Sequence, residues 1–120
     1  MPLSAFLQKA KNNESLQFDE TMKIITKNYK YQPTEFSNGL DNEKVINAAG
    51  TNEGSCKIFS FAKLNQFDQQ QTLNLFGDFY HKEVLSEPTG TSHQNIRNFM
   101  RFGWEGINFS QQALTLKKLP

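Results

Sequence analysis

The chain has 120 residues, close to the commonest domain size, and we expect one domain, 1–120, that buries roughly two thirds of its unfolded surface. Its 13 basic and 12 acidic side chains leave a formal net charge of +1, which excludes a broad electrostatic field for nucleic acid or anionic membranes. The single cysteine excludes an internal disulfide, and the longest apolar run, Ala5-Phe6-Leu7, is too short for a bilayer span or a secretory signal. We therefore predict a soluble, cytoplasmic monomer.

Apolar residues at helical spacing predict two helices at the start of the chain. Ser4 is the expected cap of the first, which ends near Asn12-Asn13. Its stripe consists of Leu3, Phe6, Leu7 and Ala10. The stripe of the second consists of Phe18, Met22, Ile25 and Tyr29. Pro33 ends this second helix, and an edge strand from Tyr31 to Phe36 follows it.

The middle of the chain predicts three further helices. Asp41 is the expected cap of a two-turn helix that contains Val45, Ile46, Ala48 and Ala49. Ser55 is the expected cap of a central helix that is apolar around nearly its whole circumference. Asp68 and Gln71 form a capping box that opens a long helix, in which Gly77 is a weak point. The apolar positions of that helix are Leu73, Phe76, Tyr80 and Val84.

The last third predicts one helix and a small sheet. Ser92 is the expected cap of the helix and Gly103 its end, and a hairpin around Ser110-Gln111 follows. The fold class is therefore α+β, with about five to six helices around an aromatic core to which 11 Phe residues contribute. The Tyr31 to Phe36 strand and an Ile107 to Leu116 hairpin would form an antiparallel sheet of about three strands.

Two polar runs precede predicted helices and are richer in hydrogen-bonding groups than packing requires. They are 52–59, which includes Gly54, and 90–100. Unpaired amides at a helix N-terminus attract anions, so these runs predict a ligand- or partner-binding surface. Its candidate residues are Asn52, Glu53, Ser55, Lys57, His93, Asn95, Arg97, Asn98 and Trp104. The structural alternative is that Ser55 merely caps, that Asn and Arg side chains tie loops together, and that the Trp104 ring closes the core.

A thiol- or histidine-dependent enzyme is the alternative function. Cys56 follows a predicted helix cap, where amides and the neighbouring Lys57 would favour a thiolate. Catalysis would also need a base, and His81 and His93 are the available histidines. A cysteine at the start of an apolar helix is more often a small core residue, so we favour a protein without catalytic residues.

Other chemistries have weaker support in the sequence. Asp78 and His81 supply one carboxylate-x-x-His spacing, whereas a two-metal bundle site needs two, so we predict no metal and no cofactor. Arg97 and Arg101 lie one helical turn apart and would share a face for a carboxylate or phosphate. With Phe102 and Trp104 they could also stack on single-stranded nucleic acid, which the balanced charge disfavours.

The two polar runs, together with several shorter motifs, resemble the HopJ family of type III effector proteins. The shorter motifs are Phe18, Thr21-Met22, Asn38-Gly39, Phe76 to Tyr80, Gly103-Trp104, Gly106-Ile107 and Gln112 to Thr115. The resemblance implies a bacterial protein that a type III system injects into a host cell, and it implies no catalytic residue. An N-terminus that reads as an ordered helix favours a resident protein. We predict a small binding protein whose partner is a protein or a small anionic ligand.

Overall fold

A computed structural model describes residues 1–117; the last three residues of the predicted domain lie outside that range. The α-helices are α1 (Leu3–Lys11), α2 (Phe18–Asn28), α3 (Glu53–Leu64), α4 (Gln69–Asn74) and α5 (Gln94–Phe102), with a π-helix at Phe79–Val84. Two short 3₁₀ helices span Asp41–Glu43 and Gly103–Gly106. The strands are β1 (Tyr29–Tyr31), β2 (Phe36–Asn38), β3 (Val45–Asn47), β4 (Ile107–Phe109) and β5 (Leu114–Leu116). The predicted α+β class with antiparallel sheet is confirmed.

The strands form two antiparallel sheets, β1-β5 and β3-β2-β4, that follow one another along a single ribbon. β1 pairs with β5, and β2 pairs with β4. The register is the same on both sides of residues 32–35, which separate β1 from β2: Tyr31 faces Leu114 and Phe36 faces Phe109. The predicted edge strand is thus interrupted around Pro33, where the missing N–H cannot join the ladder. The hairpin predicted around Ser110-Gln111 is wrong, because β4 and β5 continue in one direction along this ribbon.

The helix predicted after Asp41 is also wrong. Asp41–Glu43 makes one 3₁₀ turn, and Val45–Asn47 then pairs with β2, which gives five short strands rather than about three. The spacing of the apolar residues there fits either a helix or a strand. The β-branched residues Val45 and Ile46 favour the strand once a partner strand is available.

Helix α3 lies at the centre of the core, as its apolar circumference predicts. Phe59 is fully buried, and its ring lies 4.9 Å from that of Phe99 and 6.0 Å from that of Phe36. Edge-to-face and tilted ring pairs of this kind continue through Phe61 to Phe6 on α1 and to Tyr29. The core is aromatic, and it joins both ends of the chain to α3.

One of the helix caps predicted from the sequence is correct, and three are wrong. The capping box of Asp68 and Gln71 is present at α4. The caps predicted at Ser4, Ser55 and Ser92 are wrong, because the N-cap residues are Pro2, Asn52 and His93. The long helix predicted after Asp68 stops at Asn74; Gly77 has φ +60°, and a separate π-helix follows.

Candidate functional site

The two polar runs meet in space at a cleft of about 390 Å³. One wall is the first turn of α3 and another the first turn of α5, while aromatic rings from α2 and the π-helix close the remainder. The lining residues are Phe18, Val45, Asn52, Gly54, Ser55, Phe76, Phe79, His93, Gln94, Asn95 and Ile96. The cleft therefore contains four of the predicted binding residues: Asn52, Ser55, His93 and Asn95.

Both helices that open into the cleft lack a side-chain cap. Asn52 and His93, the N-cap residues, have left-handed backbone conformations, with φ 49° and 52°, and neither side chain accepts a bond from its helix. Within residues 1–117, the backbone N–H groups of residues 53–55 and 94–96 have no hydrogen-bond partner. By contrast, α2 and α4 carry capping boxes. Five of the six residues that carry these unpaired donors line the cleft, and the positive ends of both helices lie there.

A buried group of asparagines holds the two helix starts together. Asn95, in the first turn of α5, accepts bonds at Oδ1 from Asn38 and Asn47 Nδ2, both at 3.1 Å, and donates through its own Nδ2 to Asn47 Oδ1 at 2.9 Å. The same Asn47 oxygen accepts a 2.7 Å bond from Nδ2 of Asn52, the N-cap residue of α3. A continuous chain of side-chain amides therefore links the N-cap residue of α3 to the first turn of α5.

Sequence reasoning missed Asn38 and Asn47 as members of this group. They lie in β2 and β3, and both are almost completely buried. Asparagine is depleted in strands, so two strand asparagines that face the core are the signal that would have identified them, provided the strand at 45–47 had been recognised.

His93 lies at the edge of the cleft and is half-buried. Its Nε2 is 2.9 Å from Glu83 Oε1 on the π-helix, and its ring lies 5.2 Å from that of Phe79. The pair with Glu83 fixes the ring against an aromatic wall. His93 is the only cleft-lining residue among those described that can carry a formal charge.

Two other candidates of the second polar run, Arg97 and Asn98, donate hydrogen bonds to backbone carbonyls of the protein. Arg97 donates to the carbonyl oxygens of Ser92 and Glu87, and so ties down the loop before α5. Asn98 Nδ2 donates to the backbone oxygens of Asn38 and Glu43 at 2.9 and 2.8 Å. Arg101 is exposed and lies 3.9 Å from Glu43, and it lines a separate cavity of about 400 Å³ together with Arg97, whose guanidinium is held by the carbonyl bonds above.

The remaining candidates, Glu53 and Lys57 of the first run and Trp104, do not line the cleft. Lys57 places its Nζ 4.7 Å from the centre of the Tyr31 ring, and Glu53 is exposed. Burial, with a contribution from the nearby Glu53 carboxylate, raises the pKa of Tyr31 well above its usual value. Trp104 donates from Nε1 to the Phe67 carbonyl at 2.9 Å and packs on Phe99, so its ring closes the core.

Cys56 is not placed as a nucleophile. It is 1% exposed, its Sγ lies 3.6 Å from the Thr34 carbonyl oxygen, and burial raises the pKa of its thiol. No hydrogen bond joins it to His81 or His93 within the described part of the chain, and His81 is exposed beside Tyr80. The geometry does not favour the thiol-dependent alternative.

Residues 1–117 contain neither a candidate metal-binding group nor a candidate membrane-spanning helix. No three His, Cys, Asp or Glu side chains in this range are grouped so that they could hold a metal ion. No helix in the same range is long and apolar enough to cross a membrane.

The chain is similar to a protein family and to a protein of known structure. The model of the HopJ type III effector protein family matches residues 3–114. A crystal structure of a protein of unknown function, VPA0580, superposes with a TM-score of 0.91 at 47% identity, over 98% of this chain and 95% of the other. No functionally curated protein matches the chain.

Proposed function

This chain belongs to the HopJ type III effector protein family, and from that premise we propose that it is a binding protein whose α3/α5 cleft holds the oxyanion of a small ligand. One observation carries the proposal: two helices open into a single cleft, and neither is capped by its own side chains. Backbone amides at a helix N-terminus bind carboxylates and phosphates without a cationic side chain. Here the N-termini of two helices, α3 and α5, open into the same cleft.

The walls of the cleft suit a ligand that carries an apolar ring or chain beside its anionic group. Phe18 and Phe79 stand edge to face with centroids 4.9 Å apart, and Val45 and Ile96 add aliphatic surface. Apolar walls with a few convergent polar groups are typical of small-molecule sites, and a volume of about 390 Å³ is in their usual range. Asn95, held by its buried bonds, would present a fixed wall to the ligand.

We test this function with phenyl phosphate and the Gly54→Ala variant. A Cβ at position 54 would lie 3.0 Å from Phe18 Cζ and so occupy the cleft, while alanine in the first turn of a helix costs no backbone strain. We expect the variant to bind phenyl phosphate about tenfold more weakly, which is about 1.4 kcal/mol. NMR titration of the amides of residues 53–55 and 94–96 measures the affinity directly.

The control is Ser4→Ala, on the exposed surface of α1, which should bind as the unmodified protein does. If phenyl phosphate leaves the six amide resonances unmoved at millimolar concentration, or if Gly54→Ala binds as well as the control, the cleft is not an oxyanion site. A thermal melt of each variant separates lost binding from lost folding.

We further propose that the protein resides in the cytoplasm rather than being exported. The family description suggests secretion, and the packing of α1 argues against it in this chain. Phe6 and Ala10 are fully buried, the ring of Phe6 lies 6.0 Å from that of Phe61, and Gln71 donates to the carbonyl oxygen of Lys11. Threading this segment through a secretion channel would first require breaking those contacts.

Hydrogen exchange should therefore be slow across Phe6 to Lys11. We expect these amides to be protected nearly as well as those of α3, because α1 is part of the same aromatic core. A reporter fused to the C-terminus of the full chain should remain inside cells that possess an active type III system. Exchange at free-peptide rates, combined with translocation of the reporter, would make the protein an exported effector.

A further inference from the structure

His93, at the edge of the α3/α5 cleft, has a carboxylate partner that sequence reasoning did not identify. Its Nε2 lies 2.9 Å from Oε1 of Glu83, ten residues earlier in the chain and on the π-helix. An ionised carboxylate can only accept a hydrogen bond, so Nε2 carries the ring proton and Nδ1 presents a lone pair. The pair therefore fixes both the orientation of the imidazole ring and its tautomer.

The Nδ1 atom of His93 is free to accept a proton. It has no hydrogen-bond partner within residues 1–117, and it is not buried. The side chain of His93 is 28% exposed and that of Glu83 is 54% exposed, so water reaches the pair. An imidazole that a carboxylate holds at one nitrogen and that is open at the other is the arrangement used in general-base catalysis.

The unpaired amides of α5 belong to the same turn of the chain as this imidazole. His93 is the N-cap residue of α5, so the N–H groups of residues 94–96 follow it directly. Residues 94–96 line the cleft together with His93. Donors that are fixed in place before a reaction stabilise the negative charge that develops on a carbonyl oxygen. A base and an oxyanion site therefore share one cleft.

We propose that the α3/α5 cleft hydrolyses carboxylic esters that carry an apolar ring or chain, with His93 as the general base. This activity rests on the proposed oxyanion site and adds a reaction to it. Glu83 is a positioning residue, because it acts through the imidazole and does not line the cleft. Water is the nucleophile, so the reaction does not need the buried thiol of Cys56.

The reaction proceeds through one tetrahedral intermediate. Nδ1 of His93 takes a proton from water as the water oxygen bonds to the ester carbonyl carbon, and the carbonyl oxygen becomes an oxyanion at the amides of residues 94–96. Glu83 stabilises the imidazolium that forms. The oxyanion then re-forms the carbonyl, the bond to the alcohol oxygen breaks, and the imidazolium returns its proton to that oxygen. The products are an alcohol and a carboxylic acid, which loses its proton to solvent.

Hydrolysis of phenyl acetate, followed by release of phenol, tests the base. His93→Gln should lower kcat/KM about a hundredfold, because general-base catalysis contributes at least that much. His81→Gln is the matched control: His81 is exposed on the π-helix and does not line the cleft, so its loss should leave the rate unchanged. Equal rates in the two variants would assign the hydrolysis to adventitious surface imidazole and overturn the proposal.

Glu83→Gln tests the positioning of the imidazole. We expect kcat to fall about tenfold with KM unchanged, because the ring loses its carboxylate partner while the cleft keeps its walls and amides. Glu87→Gln, at an exposed position shortly after the π-helix, is the control and should have no effect. A change in KM alone, or the same kcat in both variants, would overturn the role of Glu83. Thermal melts confirm that each variant is folded.

Phenyl phosphate links this activity to the oxyanion site and separates their failures. Its tetrahedral anion resembles the intermediate, so it should inhibit phenyl acetate hydrolysis competitively, with an inhibition constant equal to its Kd from NMR. If phenyl phosphate binds at the cleft amides but does not inhibit, or if the unmodified protein hydrolyses phenyl acetate no faster than His93→Gln does, the activity is overturned and the oxyanion site stands. Absence of phenyl phosphate binding overturns the oxyanion site itself.

Discussion

Replacing Gly77 with alanine should lower the free energy of unfolding by about 2 to 5 kcal/mol, the combined cost of a left-handed alanine and an overpacked site. Gly77 has φ +60°, and a Cβ there would lie 2.6 Å from the backbone nitrogen of Phe18 and 3.1 Å from the carbonyl oxygen of Leu16. These are backbone atoms, so no side-chain rotation relieves the contact. Urea denaturation measures the loss.

Gly50→Ala is the matched control for this experiment. Gly50 also has a left-handed backbone, with φ +86°, but no atom lies within 4 Å of the position of its Cβ. Its replacement should therefore cost only the conformational part, about 1 kcal/mol. If the two variants lose the same stability, the close approach of Leu16 and Phe18 to position 77 contributes nothing measurable.

The position of Gly77 also matters for the cleft. The start of α2 lies against the break between α4 and the π-helix, and this approach seats Phe18 and Phe79 edge to face beside the oxyanion site. Binding should fall in Gly77→Ala together with stability, whereas in Gly54→Ala it falls alone. Gly77→Ala thus tests the framework that supports the cleft, and Gly54→Ala tests the interior of the cleft.

Local signals were sufficient where a feature depends on neighbours in the chain. The apolar stripe of α2, the capping box of α4 and the Gly103 end of α5 could all be predicted, because each depends on residues at most one or two turns apart. The aromatic, α3-centred core also followed from the apolar circumference of that helix.

Features that depend on distant partners could not be predicted. The segment Val45–Asn47 reads equally well as a helix until β2 is beside it, and the stretch from Ile107 to Leu116 reads as a hairpin until β1 and β2 extend it. Serine is a good cap by composition, yet α3 and α5 begin at left-handed Asn52 and His93. Four residues of the predicted binding surface line the cleft, whereas the left-handed helix starts that shape it were not predicted.

The asparagine group that joins those two helix starts should be the other large contributor to stability. Asn95 is 7% exposed, and its side chain takes part in three hydrogen bonds with Asn38 and Asn47. Asn95→Ala removes all three and leaves buried amide groups with fewer partners, so we expect a loss of about 3 kcal/mol. Asn42→Ala, at an exposed position in the 3₁₀ turn, is the control and should be nearly neutral.

A double-mutant cycle tests whether the group acts as a unit. Asn47 bonds to Asn95 in both directions and also accepts from Asn52, so the effects of Asn47→Ala and Asn95→Ala should not add. We expect a coupling energy of about 1 to 2 kcal/mol from chemical denaturation. Because the same bonds set the separation of the two uncapped helix starts, phenyl phosphate affinity should fall in each variant at temperatures where it remains folded. Additive stability losses with unaltered affinity would mean that the asparagines fill space and do not position the cleft.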